Sequence, residues 1–145
     1  MAVEDIGLAD PQAQAVCLQC WQTYERLGSP EGELALSQAV IYLALAPKSN
    51  ANYVAYKAAR NAAKATGSQP PPMHILNGAT DLMKDIGYGA DYAYDHDAED
   101  GFSGQNYFPD GMDRPAMYQP VERGFERDLK KRVEYFAKLR AQRQT

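Results

Sequence analysis

GELALSQAVIYLALAPKSNANYVAYKAARNAAKATG, residues 32–67, decides the fold. Its first half is apolar nearly all round and shows no period-two alternation, so it predicts a central, buried helix. Pro47 ends that helix, because proline has no N–H to continue the hydrogen-bond ladder. After the polar turn, Asn50 is placed to cap a third helix. The inward stripe of that helix is Ala51, Val54, Ala55, Ala58, Ala59, Ala62 and Ala63, and Gly67 stops it. Small residues along a whole face let two helix backbones approach closely. That face meets either another helix of the domain or another subunit, and the spacing leaves both open.

Working outward, Asp10-Pro11 is a helix start, with Asp as cap and Pro at the first helical position. Ala13, Val16, Cys17, Cys20, Trp21, Tyr24 and Leu27 then follow helical spacing up to Gly28. Ser29-Pro30 repeats the device. The proline run at 70–72 breaks the chain, and a short helix is expected from Ala79 to Ile86 before Gly87-Tyr88-Gly89. Residues 88–120 hold Tyr88, Tyr92, Tyr94, Phe102, Tyr107, Phe108 and Tyr118 among glycines, prolines and acids. A strip this long and irregular is expected to pack as an ordered wrap on the helical body, with the rings as anchors. The last helix is predicted from Val121 to Arg140, with Phe125, Leu129, Val133, Phe136 and Leu139 as its apolar stripe. No segment carries a strand period, so the fold class is all-α.

The chain has 145 residues, one domain's worth, and 45% apolar content against 23% charged argues against wholesale disorder. Charge is uneven. Residues 1–120 carry 15 acids and 7 bases, while 121–145 carry 4 acids and 8 bases. An acidic body argues against a dedicated nucleic-acid-binding domain. The basic last helix leaves room for a phosphate contact. Cys17 and Cys20 read as buried thiols rather than half of a zinc site, because no second ligand pair exists. No run of membrane-spanning length and no signal peptide is present, so no membrane partner is expected.

Catalytic chemistry is hard to place. No GxxxxGK[ST] loop, GxSxG or HExxH occurs. Laid on a calcium loop, Asp95, Asp97 and Glu99 fit, but Asp100 stands where glycine is needed and Asn106 where glutamate is needed. A solvated acidic turn is the better reading. His74 and His96 lack ligand spacing, and a stand-alone enzyme built on them is the weakest reading. Catalytic, cofactor and metal residues are therefore expected to be absent from this chain.

Six phrases in order nonetheless resemble one family. They are EDIGLADP (4–11), PKSN (47–50), HILNGAT with LMK and IGYG (74–89), His96-Asp97, QNYFP (105–109), and Tyr118-x-Pro120-x-x-Arg123-Gly124. Together they are similar to the C-terminal region of the replication-associated recombination protein A (RarA/MgsA) group, clamp-loader-like AAA+ ATPases. Leu76, Ala79 and Asp81 depart from the usual arginine, proline and lysine. Those departures bear on the charge of one loop and not on the fold.

The resemblance implies that residues 1–9 end a helix from a preceding ATPase lid and that 10–145 form a helical, collar-like oligomerisation domain. The chain is then expected to be a piece of a longer protein. It implies a parent that hydrolyses ATP with magnesium, acts on DNA at stalled forks during replication, recombination and repair, and associates with single-strand binding protein. It also implies a homo-tetramer and a cytoplasmic, nucleoid-associated location. The expected interface residues are Ala51, Tyr53, Ala55, Ala58 and Ala62 with Phe125 and Leu129. The rival reading is a docking module for DNA or single-strand binding protein, using Lys48, Lys130, Lys131 and Arg132.

Overall fold

The computed structural model describes residues 1–143, and among them no strand occurs. Helices α1 (Ala13–Leu27) and α2 (Glu31–Leu45) pack along each other. The link between them is too short for anything but an antiparallel hairpin. Gly28, at φ 66, closes α1 by donating its N–H to Tyr24 O at 2.8 Å. Gly32 sets the approach, because a Cβ there would lie 2.9 Å from Tyr24 Cα. The remaining α-helices are α3 (Ala51–Thr66), α4 (Asp81–Ile86) and α5 (Glu126–Arg143).

The chain divides into two compact units. The first comprises Met1–Asn61 with Met117–Val133, and the second comprises Ala62–Ala116 with the chain from Glu134 onward. In the first unit the N-terminus forms a single π-helical turn, Ala2–Ile6, and a 3-10 turn, Gly7–Ala9, which leads into α1. Ile6, Ala9, Ala13, Cys20 and Ala51 are its buried apolar residues. Cys17 is half-buried and both thiols are free.

A buried carboxyl group organises this unit. Glu126, at the start of α5, is 0% exposed. It accepts hydrogen bonds from Ser49 Oγ at 2.8 Å, Val121 N at 2.9 Å and Tyr118 Oη at 3.2 Å. Ser49 in turn accepts the Ala51 N–H through its hydroxyl and donates its own N–H to Asp5 O at 2.7 Å. Phe125 donates its N–H to Ala9 O at 2.8 Å. Gly124 stands so close to that carbonyl that a Cβ would be 2.0 Å from Ala9 O.

In the second unit Thr80 caps α4 by accepting Met83 N–H at 3.2 Å, and Gly87 ends it in the left-handed conformation. Gly89 N–H returns to Met73 O at 3.0 Å. The strip that follows is irregular apart from a 3-10 turn at Asp95–Asp97. Gln105 braces it by donating to Asp91 O at 2.7 Å and accepting from Ala93 N at 3.0 Å. Phe102 packs on Phe136 of α5 with ring centroids 5.0 Å apart, whereas Tyr92, Tyr94 and Tyr107 stay about half exposed.

Several expectations need correction. Helix α1 begins at Ala13 rather than Pro11, with Gln12 at its N-terminal boundary and Asp10 accepting the Gln12 N–H at 3.0 Å in the turn before it. The helix over 32–46 is not buried all round: Gly32 is its one buried residue, and Leu34, Val40, Ile41 and Leu45 are 75%, 66%, 57% and 81% exposed. Only α1 packs extensively along it, and one neighbour covers one side of a cylinder. The last helix begins at Glu126 rather than Val121, because Val121 N–H goes to the Glu126 side chain and Gly124 takes φ 52. The helix expected from Ala79 starts at Asp81, after the Thr80 cap.

Removing the Glu126 side chain strands three donors, that of Ser49 buried and those of Tyr118 and Val121 part-buried, each costing up to about 1–3 kcal/mol. Glu126→Ala is therefore expected to lower stability by about 3–5 kcal/mol. Ser49→Ala, which removes one of the three bonds, is expected to cost only about 1–2 kcal/mol. Urea unfolding of the three chains, compared by midpoint at constant slope, checks the ordering.

Candidate assembly surface

The uncovered side of α2 is an apolar surface of the first unit. Its packed face repeats at helical spacing through Gly32, Ala35, Leu36, Ala39 and Leu43, all buried or half-buried. Leu34, Gln38, Ile41 and Leu45 lie on the other side and line a groove of about 600 Å³ with Asp10 and Pro47. Tyr42 Oη donates to Asp10 Oδ2 at 2.6 Å across one edge. That hydrogen bond to the carboxylate, with burial, holds the Tyr42 phenol above its ordinary pKa.

The helix is electrostatically finished at both ends. Glu31 and Glu33 lie in its first turn, where the macrodipole favours negative charge. At the other end the Lys48 ammonium donates to the carbonyls of Leu43 and of Ala46, the latter at 2.9 Å. Between those ends the exposed face carries no charge.

The residues expected at an interface are spread differently. Ala51 is buried beside Ser49 at the start of α3, and Ala55, Ala58 and Ala62 are half-buried. Tyr53 is 47% exposed. Phe125 lies under the Arg132 guanidinium, 5.9 Å from ring centroid to Cζ, and Leu129 is half-buried. The residues expected to meet DNA or a partner are engaged within the chain. Lys130 pairs with Glu122, and Lys131 pairs with Asp128 at 3.1 Å. Lys48 holds the α2 carbonyls. The pairing with Lys130 keeps Glu122 below the usual carboxylate range.

His74 and His96 stack separately, on Tyr107 at 6.0 Å and on Tyr94 at 4.9 Å. Asp95 receives the Ser103 N–H at 2.7 Å, and Asp100 pairs with Arg143 at 2.6 Å. Among the described residues no group of three His, Cys, Asp or Glu is placed to hold a metal ion. No described helix is long and apolar enough to cross a membrane. Burial raises Tyr118, beside the Glu126 carboxyl group, to about 12. Sequence reading missed both Glu126 and the open α2 face. The one available signal was the all-round apolarity of α2, which was read as complete burial.

The described structure is thus a helical, multi-segment domain whose outstanding surface is an apolar helix face rather than a pocket of titratable groups. The chain belongs to the MgsA AAA+ ATPase C-terminal family, whose model matches residues 1–137. It is 49% identical over 146 aligned residues to a replication-associated recombination protein A of Coxiella burnetii, covering 100% of this chain and 33% of the relative. The protein of that name from Haemophilus influenzae is 44% identical, covering 92% of this chain and 30% of the relative. The one from Escherichia coli K12 is 41% identical, covering 94% and 31%. The chain therefore spans about a third of the length of these relatives. The phrases EDIGLADP, PKSN and YQPVERGFE, which carry the resemblance, are the segments joined around Glu126.

Hydrogen bonds from Ser103 depress Asp95, and the hydrogen bond and charge of Arg143 depress Asp100. Carboxyl groups depressed on folding stabilise fully above the ordinary value of 3.8 and lose that contribution as pH falls through their folded values. Amide exchange at Ser103 is expected to stay slow at neutral pH and to accelerate, relative to intrinsic rates, only below pH 3.8. Protection that is already lost above pH 3.8 contradicts the assignment.

Proposed function

We propose that this domain assembles a AAA+ ATPase into a homo-oligomer, a tetramer, for action in replication-associated recombination. One observation carries the reading: α2 packs one apolar face on α1 and leaves a second, uncharged apolar face open. Fully burying a leucine or isoleucine contributes roughly 1.5–3 kcal/mol. Covering Leu34, Ile41 and Leu45 from their present exposures therefore contributes about 4 kcal/mol per copy. Two copies together contribute about 8 kcal/mol, inside the range of the association cost, about 4–15 kcal/mol. A single α2 contact is marginal and joins two copies, and a tetramer is two such pairs held by a further contact.

In this reading the ATPase sites, with ATP and magnesium, lie in the parent's remaining two-thirds. DNA at stalled forks and single-strand binding protein are partners of that parent, in a cytoplasmic, nucleoid-associated setting. Its mechanism is geometric, fixing protomers about an axis so that their ATPase and DNA-facing surfaces converge. The rival, docking of DNA or single-strand binding protein through the last helix, has less support because Lys48, Lys130 and Lys131 already hold partners within the chain.

Ile41→Asp places a charge in the open face without touching the α1 contact. It is expected to reduce the particle to a monomer in light scattering after size exclusion, with helical circular dichroism unchanged. Assembly that survives Ile41→Asp but is lost on replacing Ala58 and Ala62 by leucine moves the contact to α3. Assembly unaffected by either change, but lost when Lys130, Lys131 and Arg132 become glutamate, favours the last helix.

A further inference from the structure

The open face of α2 has a spacing that reads the same in both directions. Leu34, Gln38, Ile41 and Leu45 are separated by steps of four, three and four residues, the step pattern of a coiled-coil seam. We propose that two copies of this chain pair through α2, antiparallel about a two-fold axis, with Leu34 of each copy against Leu45 of the other. This rests on the assembly reading above and names its contact.

The same register sets Gln38 opposite Ile41. Beyond the seam, the first turn of one copy, with Glu31, meets the last turn of the other, where the Lys48 ammonium is held on the Leu43 and Ala46 carbonyls. The seam is uncharged and the complementary charges stand only at its two ends: Glu31 is exposed in the first turn, and Lys48 is held at the last turn by the Leu43 and Ala46 carbonyls. An antiparallel pair therefore brings acid to base at both ends and places each helix's positive terminus beside the other's negative one. A parallel pair puts Glu31 beside Glu31, Lys48 beside Lys48 and Gln38 on Gln38. The one charged residue lining the groove, Asp10, is already engaged by the Tyr42 hydroxyl, so a charged heterologous segment finds no unengaged counter-charge along the seam. An isologous contact also closes on itself, which leaves no apolar face exposed to propagate.

The test is a cross-link in the whole chain. Leu34→Cys and Leu45→Cys are introduced together with Cys17→Ser, leaving the buried Cys20 in place. Eleven residues of helix hold positions 34 and 45 about 16 Å apart within one copy, beyond the roughly 7 Å that a disulfide spans. Any 34–45 bond is therefore between copies. Mild oxidation is expected to give a covalent dimer with the double-cysteine chain and none with Leu34→Cys alone.

In sedimentation, Glu31→Lys and Lys48→Glu are each expected to weaken self-association about two- to fivefold, and the pair of reversals to restore it. Circular dichroism checks that each variant remains helical. A dimer from Leu34→Cys alone, or charge reversals that fail to compensate in a chain that still assembles, overturns this register and leaves the assembly reading intact. A chain that never leaves the monomer removes both.

Discussion

The Glu126 carboxyl group is the interaction on which the first unit depends. Two stretches far apart in sequence supply its donors: the turn after α2 through Ser49, and the run just before α5 through Tyr118 and Val121. The N-terminal turns join the same site through Asp5 O and Ala9 O. A fully buried carboxyl group is costly unless every acceptor is used, so these bonds hold the segments to one arrangement. Few apolar side chains share that burden, since only Ile6, Ala9, Ala13, Cys20 and Ala51 are buried. The polar network thus supplies specificity that a larger core supplies elsewhere.

The same constraint explains how α2 presents its open face. Ser49 fixes where the chain turns after Pro47, and Lys48 closes the last carbonyls of α2. With both ends held, α2 presents its outer face as a rigid strip. Its inner face is already committed to α1 at a distance set by Gly32. A helix apolar on two sides and packed on one is poorly suited to water, and a second copy offers a covering surface of the same character.

Much of the fold was legible in the sequence. Gly28, Pro47, Gly67 and Gly87 end their helices where the punctuation placed them, because backbone freedom or a missing N–H acts locally. The phrase order that resembles the MgsA C-terminal family was legible too, and the family match confirms it. Glu126 was not legible: on its own helix it reads as an ordinary i,i+4 partner of Lys130. Its burial is created by Ser49, Tyr118 and Val121, whose approach no local pattern encodes. Nor did the apolarity of α2 reveal its open side, since periodicity reports what must be hidden and not what hides it. The stripe expected on α3 showed the converse: Ala51 is buried, Ala55, Ala58, Ala59 and Ala62 are half-buried, and Val54 and Ala63 are exposed.

The most direct test of the account is the solution mass of the chain itself, by light scattering at two concentrations a hundredfold apart. A particle approaching roughly four times 16.1 kDa at the higher concentration, and smaller at the lower, is the result expected of a closed assembly built from marginal contacts. A mass that stays at 16.1 kDa throughout contradicts the claim that the α2 face is covered by a second copy.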